Sequence, residues 1–254
     1  MQDIGFRQKS GETRSPVSIL DALRPARDLR VLVTAGAGGV GAAIARAFHA
    51  AGSCVHVCDI DRSALDRLRA ELPGITGSMA DVSLAAEVEA VFDDVEASLG
   101  GLDVLVGNAG IAGPKGPIET IDDARWERAI AVNVHSQFYF ARRAVPLLKR
   151  SRAAPSLIFA GAAARSGSPH AADASSTRAI VGLMRALAVE LGPNGIRVNA
   201  ILLGSGTEPD RVGAGSARAA MLDSAAAVAL FLCSPAARAM TGQTLRLDAS
   251  TASI

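Results

Sequence analysis

A glycine-rich turn near the start of the chain has the residue types and the spacing to hold a phosphate. Residues 36–41 read GAGGVG, which fits the pattern G-x-G-x-x-G. The first glycine of that pattern permits a tight turn, the second lets the backbone approach a pyrophosphate, and the third lets the next helix pack close to the preceding strand. The free N–H groups of that helix would face the phosphates. We predict a dinucleotide site, with a purely structural turn as the alternative, at Gly36, Gly38, Gly39, Val40 and Gly41.

An acidic residue stands where such a site needs one. Asp59 follows a strand-like run at residues 53–58, about 20 residues beyond the glycines, where a carboxylate can accept hydrogen bonds from ribose hydroxyls. A carboxylate there repels a ribose phosphate and favours NAD over NADP, although the nearby Arg62 weakens that preference. The alternative interpretation makes Asp59 the N-cap of a helix that starts near Ile60.

The elements that must position these residues alternate regularly. Val31-Leu32-Val33-Thr34 predicts a buried strand, and apolar residues at helical spacing from Ala42 to Phe48 predict a helix that ends at Gly52. Further strands are predicted at 53–58, 75–80, 102–106, 156–160, 196–202 and 244–247, and further helices at 61–71, 84–99, 126–150, 179–191 and 224–233. This order predicts an α/β fold, a Rossmann-type doubly wound parallel sheet in three layers, with ligands outside the carboxyl ends of the strands.

Composition limits the function classes. The chain carries 26 basic and 25 acidic residues among 254, which argues against nucleic-acid and membrane partners. Its cysteines, Cys54, Cys58 and Cys233, lack metal-ligand spacing, so we expect reduced thiols and no metal. Without a signal-type start or a long apolar segment, we expect a cytoplasmic protein. Residues 1–28 form a polar N-terminal arm in this interpretation, and residues 29–254 form one domain.

Several motifs resemble those of the short-chain dehydrogenase/reductase family, from about Arg30 to Asp248. Residues 34–41 are similar to T-G-x-x-x-G-x-G, with Ala35 in place of the first glycine. Residues 107–110 are similar to N-N-A-G, and residues 191–199 follow the segment around the sixth strand. The resemblance implies NAD as the cofactor and an adenine contact at the pair after the third strand. The further cofactor-binding residues that it implies are Asp81, Val82, Asn108, Ala109 and Gly110.

The reaction centre that the resemblance implies is degenerate. The family uses a Ser, a Tyr-x-x-x-Lys pair and an Asn, of which only the Asn is matched, by Asn133. The Tyr position falls on Asp173, the Lys position on Thr177 and the Ser position on Gly161. A carboxyl group has a reference pKa near ~4, about six units below that of tyrosine, so at neutral pH it has no proton to give. Asn133 has an alternative role, which is to satisfy backbone groups at a local helix distortion.

Two main hypotheses follow from these losses. The first is a non-catalytic subunit that assembles in a tetramer with an active homologous subunit, or with copies of itself. Family members associate through the helices that correspond to 125–150 and 179–191 and through the last helix and the last strand. The second is an NAD-dependent oxidoreductase in which Asp173, His170 or Ser175 transfers protons. NAD sensing without catalysis is a third. The family's Ser, Tyr and Lys are all lost, and the segment at 204–224 is short where the family has its substrate-covering loop. Together these departures favour the hypothesis of a non-catalytic subunit.

Overall fold

A seven-stranded parallel sheet is the centre of the molecule. The computed structural model describes residues 18–162, 170–204 and 214–248. Within them the strand order is β3-β2-β1-β4-β5-β6-β7, and every neighbouring pair is parallel. The strands are β1 Arg30–Thr34, β2 Cys54–Asp59, β3 Thr76–Met79, β4 Val104–Gly107, β5 Ser156–Ala162, β6 Arg197–Leu203 and β7 Thr244–Leu247. The predicted doubly wound Rossmann-type sheet is confirmed.

Helices cover both faces of this sheet, which makes three layers. They are α1 Ile19–Ala22, α2 Gly39–Ala50, α3 Arg62–Glu71, α4 Ala85–Leu99, α5 Asp123–Ile130, α6 Ser136–Lys149, α7 Ala171–Leu191 and α8 Ala214–Leu232. Side chains of α4, α6 and α7 pack on one face, where the rings of Phe92 and Phe140 lie 5.8 Å apart. Side chains of α2, α3 and α8, including the fully buried Phe48, pack on the other. Burying both faces explains why the central strands β1, β4, β5 and β6 are almost continuously apolar.

The direction of the chain reverses beside β1. The first three strands proceed outward in the order β1, β2, β3, and the chain then returns to place β4 on the other side of β1. The loops that follow β1 and β4 therefore separate, and they leave a crevice at the carboxyl ends of the strands, where ligands bind in open α/β sheets. The candidate residues after β1, β2, β3 and β4 all lie along this edge.

Four of the predicted helices differ from their predicted bounds. Helix α2 begins at Gly39, inside the glycine turn, and α7 begins at Ala171 instead of Ala179. Helix α8 begins at Ala214, ten residues before the predicted start. The predicted helix at 126–150 is divided by a π-helical segment, Ala131–His135, that separates α5 from α6. The predicted N-terminal arm contains the one-turn helix α1, and its residues 1–17 lie outside the described part of the chain.

A buried histidine joins β2, β3 and α4 at one side of the sheet. His56 is 2% exposed; its Nδ1 lies 2.8 Å from Thr76 Oγ1, and its Nε2 lies 2.9 Å from Ser78 Oγ. The Ser78 hydroxyl donates to Asp94 Oδ2 at 2.5 Å. Burial lowers the pKa of His56 to about 4, against a smaller opposing effect of the Asp94 carboxylate. The neutral imidazole is therefore the form that the fold holds.

Candidate functional site

The glycine turn leaves open space in front of the N-terminus of α2. A Cβ on Gly36 would lie 2.7 Å from the Val57 side chain, and one on Gly41 would collide with the carbonyl of Ala35. In contrast, a Cβ on Gly38 or Gly39 would meet nothing within 4 Å. Gly38 is the N-cap residue and Gly39 has a φ of +52°. The two outer glycines thus allow close packing, whereas the middle pair exposes the helix N-terminus to a ligand.

Asp59 joins the end of β2 to this turn. Its Oδ2 accepts a hydrogen bond from the Ala37 N–H at 3.0 Å, and its Oδ1 accepts one from the Asp61 N–H at 3.1 Å. The N-cap of α3 is Asp61, whose Oδ1 accepts from the Ala64 N–H at 3.0 Å, so Asp59 does not have the capping role. A carboxylate has about four acceptor sites, so Asp59 can accept further hydrogen bonds from a ribose.

The ends of β1 and β4 are tied by Thr34 and Asn108. Thr34 Oγ1 accepts hydrogen bonds from the backbone N–H groups of Asn108, at 2.8 Å, and Ala109, at 2.9 Å. The Asn108 amide donates in return to the carbonyls of Thr34 and Ala35, at 3.1 and 3.2 Å. Ala35, in place of the family's first glycine, has a φ of +47°, which is a strained value for a residue with a side chain.

Asp81 is held in place after β3 by three groups. Its Oδ1 accepts hydrogen bonds from the Ser83 N–H at 3.0 Å and from the Ser83 hydroxyl at 2.7 Å. Its Oδ2 forms an ion pair with Arg128 of α5 at 3.0 Å. Burial opposes ionisation of this carboxyl, but the hydrogen bonds from Ser83 and Arg128 outweigh it and lower the pKa of Asp81. The next residue, Val82, is buried in the core.

Asn133 holds the loop that follows β4. Its Oδ1 accepts a hydrogen bond from the Ile111 N–H at 2.8 Å, and its Nδ2 donates to the Ile111 carbonyl at 2.9 Å. Asn133 lies in the π-helical segment between α5 and α6, where a side chain can turn away from the regular helix. The same loop contains Gly110, whose Cβ, if it had one, would lie 3.5 Å from Asn133 Oδ1.

The residues at the predicted catalytic positions contact backbone groups. Asp173, in the first turn of α7, accepts a hydrogen bond on Oδ1 from the Gly113 N–H at 2.7 Å. The Thr177 hydroxyl lies 2.8 Å from the carbonyls of both Ala162 and Asp173. Gly161, the second-last residue of β5, has room for a Cβ at 3.4 Å from Ile180. His170 is the N-cap residue of α7.

Comparison with known proteins gives the family. A family model described as enoyl-(acyl carrier protein) reductase matches residues 35–249. The short chain dehydrogenase/reductase dpfgG of Gibberella zeae is 34% identical over 182 residues, which cover 68% of this chain and 67% of that protein. The chain belongs to the short-chain dehydrogenase/reductase family. The 3beta-hydroxysteroid dehydrogenase 2 of Eggerthella lenta is 31% identical over 242 residues, 85% of this chain and 92% of that protein.

Solved structures of short-chain dehydrogenases support the same assignment. A 3-ketoacyl-(acyl-carrier-protein) reductase from Brucella melitensis, complexed with NADH, superposes with a TM-score of 0.80 at 27% identity, covering 88% of this chain and 98% of its own. A short-chain dehydrogenase/reductase described as glucose/ribitol dehydrogenase from the same organism has a TM-score of 0.78 at 30% identity. The match covers 91% of this chain and 99% of that one. The relatives of this chain are therefore oxidoreductases, and a structural neighbour binds NADH.

The structure brings the predicted cofactor residues of this short-chain dehydrogenase family member to one edge of the sheet. They come from the loops after β1, β2, β3 and β4, whose carboxyl ends lie side by side. Asn133, Asp173 and Thr177 gather beside the loop after β4 and the end of β5. Part of the segment at 204–224 lies outside the described residues. In the described ranges no helix is long and apolar enough to span a membrane, and no three His, Cys, Asp or Glu side chains cluster as metal ligands would.

Sequence reasoning missed three residues that shape this site. Ser83 could have been found, because a serine two residues after an aspartate is typical of a side-chain turn. Arg128 could not, since it reaches Asp81 from α5 across the fold. Gly113 was also missed; a Cβ there would lie 2.5 Å from the Ala172 Cβ, so the loop after β4 packs directly on α7.

Proposed function

We propose that this chain is a non-catalytic subunit of an NAD-dependent short-chain dehydrogenase, which binds NAD and assembles with an active homologous subunit. The observation that carries this proposal is the 2.7 Å hydrogen bond from the Gly113 N–H to Asp173 Oδ1. The residue at the family's tyrosine position thereby has a backbone partner within the protein. This hydrogen bond gives the Asp173 side chain a structural role, which is to hold the loop after β4 against the first turn of α7.

The lysine position supports the same proposal. Thr177 is 9% exposed, and its hydroxyl contacts the carbonyls of Ala162 and Asp173 at 2.8 Å. A hydroxyl in this place carries no positive charge to hold a nicotinamide ribose. A general acid or base contributes about 10²–10⁴ in rate, and here the polarising hydroxyl at position 161 is missing as well. The combined loss is too large for one surviving group to replace.

Binding of NAD is supported by the glycine turn and Asp59, which lie on the other side of the site from Asp173 and Thr177. The middle of the glycine turn is open in front of α2, and Asp59 stands beside it at the end of β2. A carboxylate there disfavours the 2′-phosphate of NADP. The Brucella melitensis reductase complexed with NADH shares this fold over 88% of the chain.

Assembly is supported by exposed apolar side chains on the two helices that the family uses for association. Phe138 on α6 is 48% exposed and Val189 on α7 is 81% exposed. Aromatic side chains such as that of Phe138 are enriched at surfaces that another chain covers. The partner that we propose is an active short-chain dehydrogenase subunit in a tetramer, with a homo-oligomer as the alternative.

The second candidate function is an oxidoreductase with unusual proton-transfer groups. It is favoured by the position of His170 and Asp173, which lie within one turn of each other at the start of α7. A single set of assays separates the two candidates, because they differ in whether the purified chain transfers hydride.

The deciding experiment follows NADH absorbance with a panel of alcohols and ketones. The steroid dehydrogenase of Eggerthella lenta, assayed with its own substrate, is the positive control. We expect the isolated chain to show less than about 10⁻³ of the control rate, because its proton-transfer groups are absent. Turnover that is lost in both Asp173→Ala and His170→Ala would instead establish the second candidate. Purification from the native host should recover a homologous subunit at equal stoichiometry.

A further inference from the structure

A cavity opens at the free edge of the sheet, between β3 and the last turns of α4. Its volume is about 470 Å³. The strand order places β3 at the edge of the sheet. Thr76 begins β3 and Ser98 is the second-last residue of α4, so the cavity lies toward the amino ends of the strands. The crevice with the predicted cofactor residues lies at the carboxyl ends, and none of those residues lines this cavity.

A chain of hydrogen bonds in the wall of the cavity fixes where its protons lie. A carboxylate only accepts, so the Ser78 hydroxyl donates to Asp94 Oδ2 at 2.5 Å. Ser78 Oγ then accepts from the Nε2–H of His56 at 2.9 Å. Because burial keeps this imidazole neutral in the folded chain, its Nδ1 has a lone pair. The Thr76 hydroxyl therefore donates its proton to Nδ1, at 2.8 Å.

Three oxygen atoms are left as acceptors toward the cavity. The Ser98 hydroxyl donates to the Asp94 carbonyl at 2.6 Å, much closer than its 3.3 Å separation from His56 Nδ1. Thr76 Oγ1 and Ser98 Oγ lie 3.4 Å apart and have both given their protons to the protein. Asp94 adds Oδ1, which has no partner among the described residues. Three acceptors, one of them charged, suit the three N–H donors of a primary ammonium group.

The side of the cavity toward α3 supplies donors. Arg69 donates to the Gly77 carbonyl. The Ala80 N–H bonds to the Asp59 carbonyl of β2, and since residues alternate along a strand, Gly77 points its N–H and its carbonyl away from β2. The ion pair of Arg69 with Asp66 is long, at 3.9 Å, so the guanidinium has further N–H groups for an anion. This side of the cavity therefore suits a carboxylate.

We propose that this cavity binds a small aliphatic amino acid by both of its charged groups. The ammonium lies against the three acceptors, and the carboxylate lies against Arg69 and the Gly77 N–H. Acceptors and donors on two sides of one cavity are complementary to a ligand that carries both charges. Ile75 and Ala97 also line the cavity and offer an apolar contact to a short hydrocarbon side chain. The site shares no residue with the predicted reaction centre, so it is independent of the proposed function.

Ligand-detected NMR titration of the full chain with L-valine tests the ligand class. Isobutylamine and isovalerate are matched analogues of valine, because the first lacks the carboxylate and the second lacks the ammonium. We expect valine to bind at least about tenfold more tightly than either analogue, the effect of losing one hydrogen-bonded charged group. Absence of valine binding would overturn the proposal. Equal affinity for valine and one analogue would also overturn it, since the site would then recognise a single charge.

Two variants assign the two ends of the ligand. Asp94→Asn keeps an oxygen that can accept from Ser78 but removes the charge that faces the ammonium. Arg69→Gln removes the guanidinium that faces the carboxylate. Each variant should weaken valine binding at least about tenfold. Native affinity in both would show that valine binds elsewhere on the chain, and would overturn the proposal.

Matched controls separate these effects from a general change of surface charge. Asp93 precedes Asp94 in α4, and Arg67 lies two residues before Arg69 in α3; both are exposed, and neither lines the cavity. Asp93→Asn and Arg67→Gln should keep the native affinity for valine. All four variants should keep the native far-UV circular dichroism, because the substituted side chains are exposed. Losses in the controls equal to those in Asp94→Asn and Arg69→Gln would overturn the proposal.

Discussion

At the scale of the residue, Ala35 shows the physical effect of a departure from the family pattern. Its φ of +47° is left-handed, a region where a Cβ costs about 1–2 kcal/mol. Glycine would remove that cost but would lose about 0.5–1 kcal/mol through greater freedom of the unfolded chain. We therefore expect Ala35→Gly to raise the free energy of unfolding by about 0.5–1 kcal/mol, measured by urea denaturation.

The control for this prediction lies in the same turn. Ala37 is not among the residues of the described chain with positive φ, so Ala37→Gly relieves no strain. It should lower the free energy of unfolding by about 0.5–1 kcal/mol, because only the entropic effect of glycine remains. Equal changes in the two variants would contradict the assignment of strain to Ala35.

At the scale of the element, His56 makes the packing of β2 on β3 and α4 dependent on pH. Its pKa is about 4 in the folded chain and near ~6.5 in the unfolded chain, so the unfolded state binds the proton first as the pH falls. The stabilisation is complete above pH ~6.5 and is lost progressively as the pH falls toward ~4, to a total of about 3 kcal/mol at most. Denaturation at a series of pH values measures this loss.

Two variants isolate the contribution of His56 from that of the carboxylates. An amide can replace both hydrogen bonds of the imidazole but does not titrate, so His56→Gln should be less sensitive to acid than the native chain over this range. His135 is exposed, and His135→Gln should keep the native slope of stability against pH. A native slope in His56→Gln would assign the acid sensitivity to other groups.

The helices and strands also show which parts of this fold can be predicted from the sequence. Apolar runs and helical spacing predicted all seven described strands and the residues at which most helices end, because burial on two faces imposes those patterns. The first turns of α7 were missed, since residues 171–178 are small or polar and have no apolar period. Local sequence was enough to single out the glycine turn, Asp59 and Asp81, whose role in binding a cofactor stays a prediction. The partners of Asp81 and Asp173, namely Arg128 and Gly113, were not, because they come from distant segments.

At the scale of the whole molecule, the proposed role requires that α6 and α7 be covered by another chain. Phe138 and Val189 are 48% and 81% exposed, so a charge at either position is tolerated by the monomer but not by an apolar interface. We expect Phe138→Asp and Val189→Asp to lower the molar mass of the native assembly in light scattering at matched concentrations. Their far-UV circular dichroism at low temperature should stay native, and their unfolding midpoints should fall, because the assembly that stabilises the folded chain by mass action is lost.

Ile118 supplies the matched control for this surface. It is 69% exposed, as apolar as Val189, and lies in the 3-10 turn Ile118–Thr120, outside both helices. Ile118→Asp should keep the native molar mass, because the proposed interface does not include it. If Phe138→Asp and Val189→Asp also keep the native mass, α6 and α7 do not form the interface. The exposed side chains of Phe138 and Val189 would then lie on the free surface of the native form.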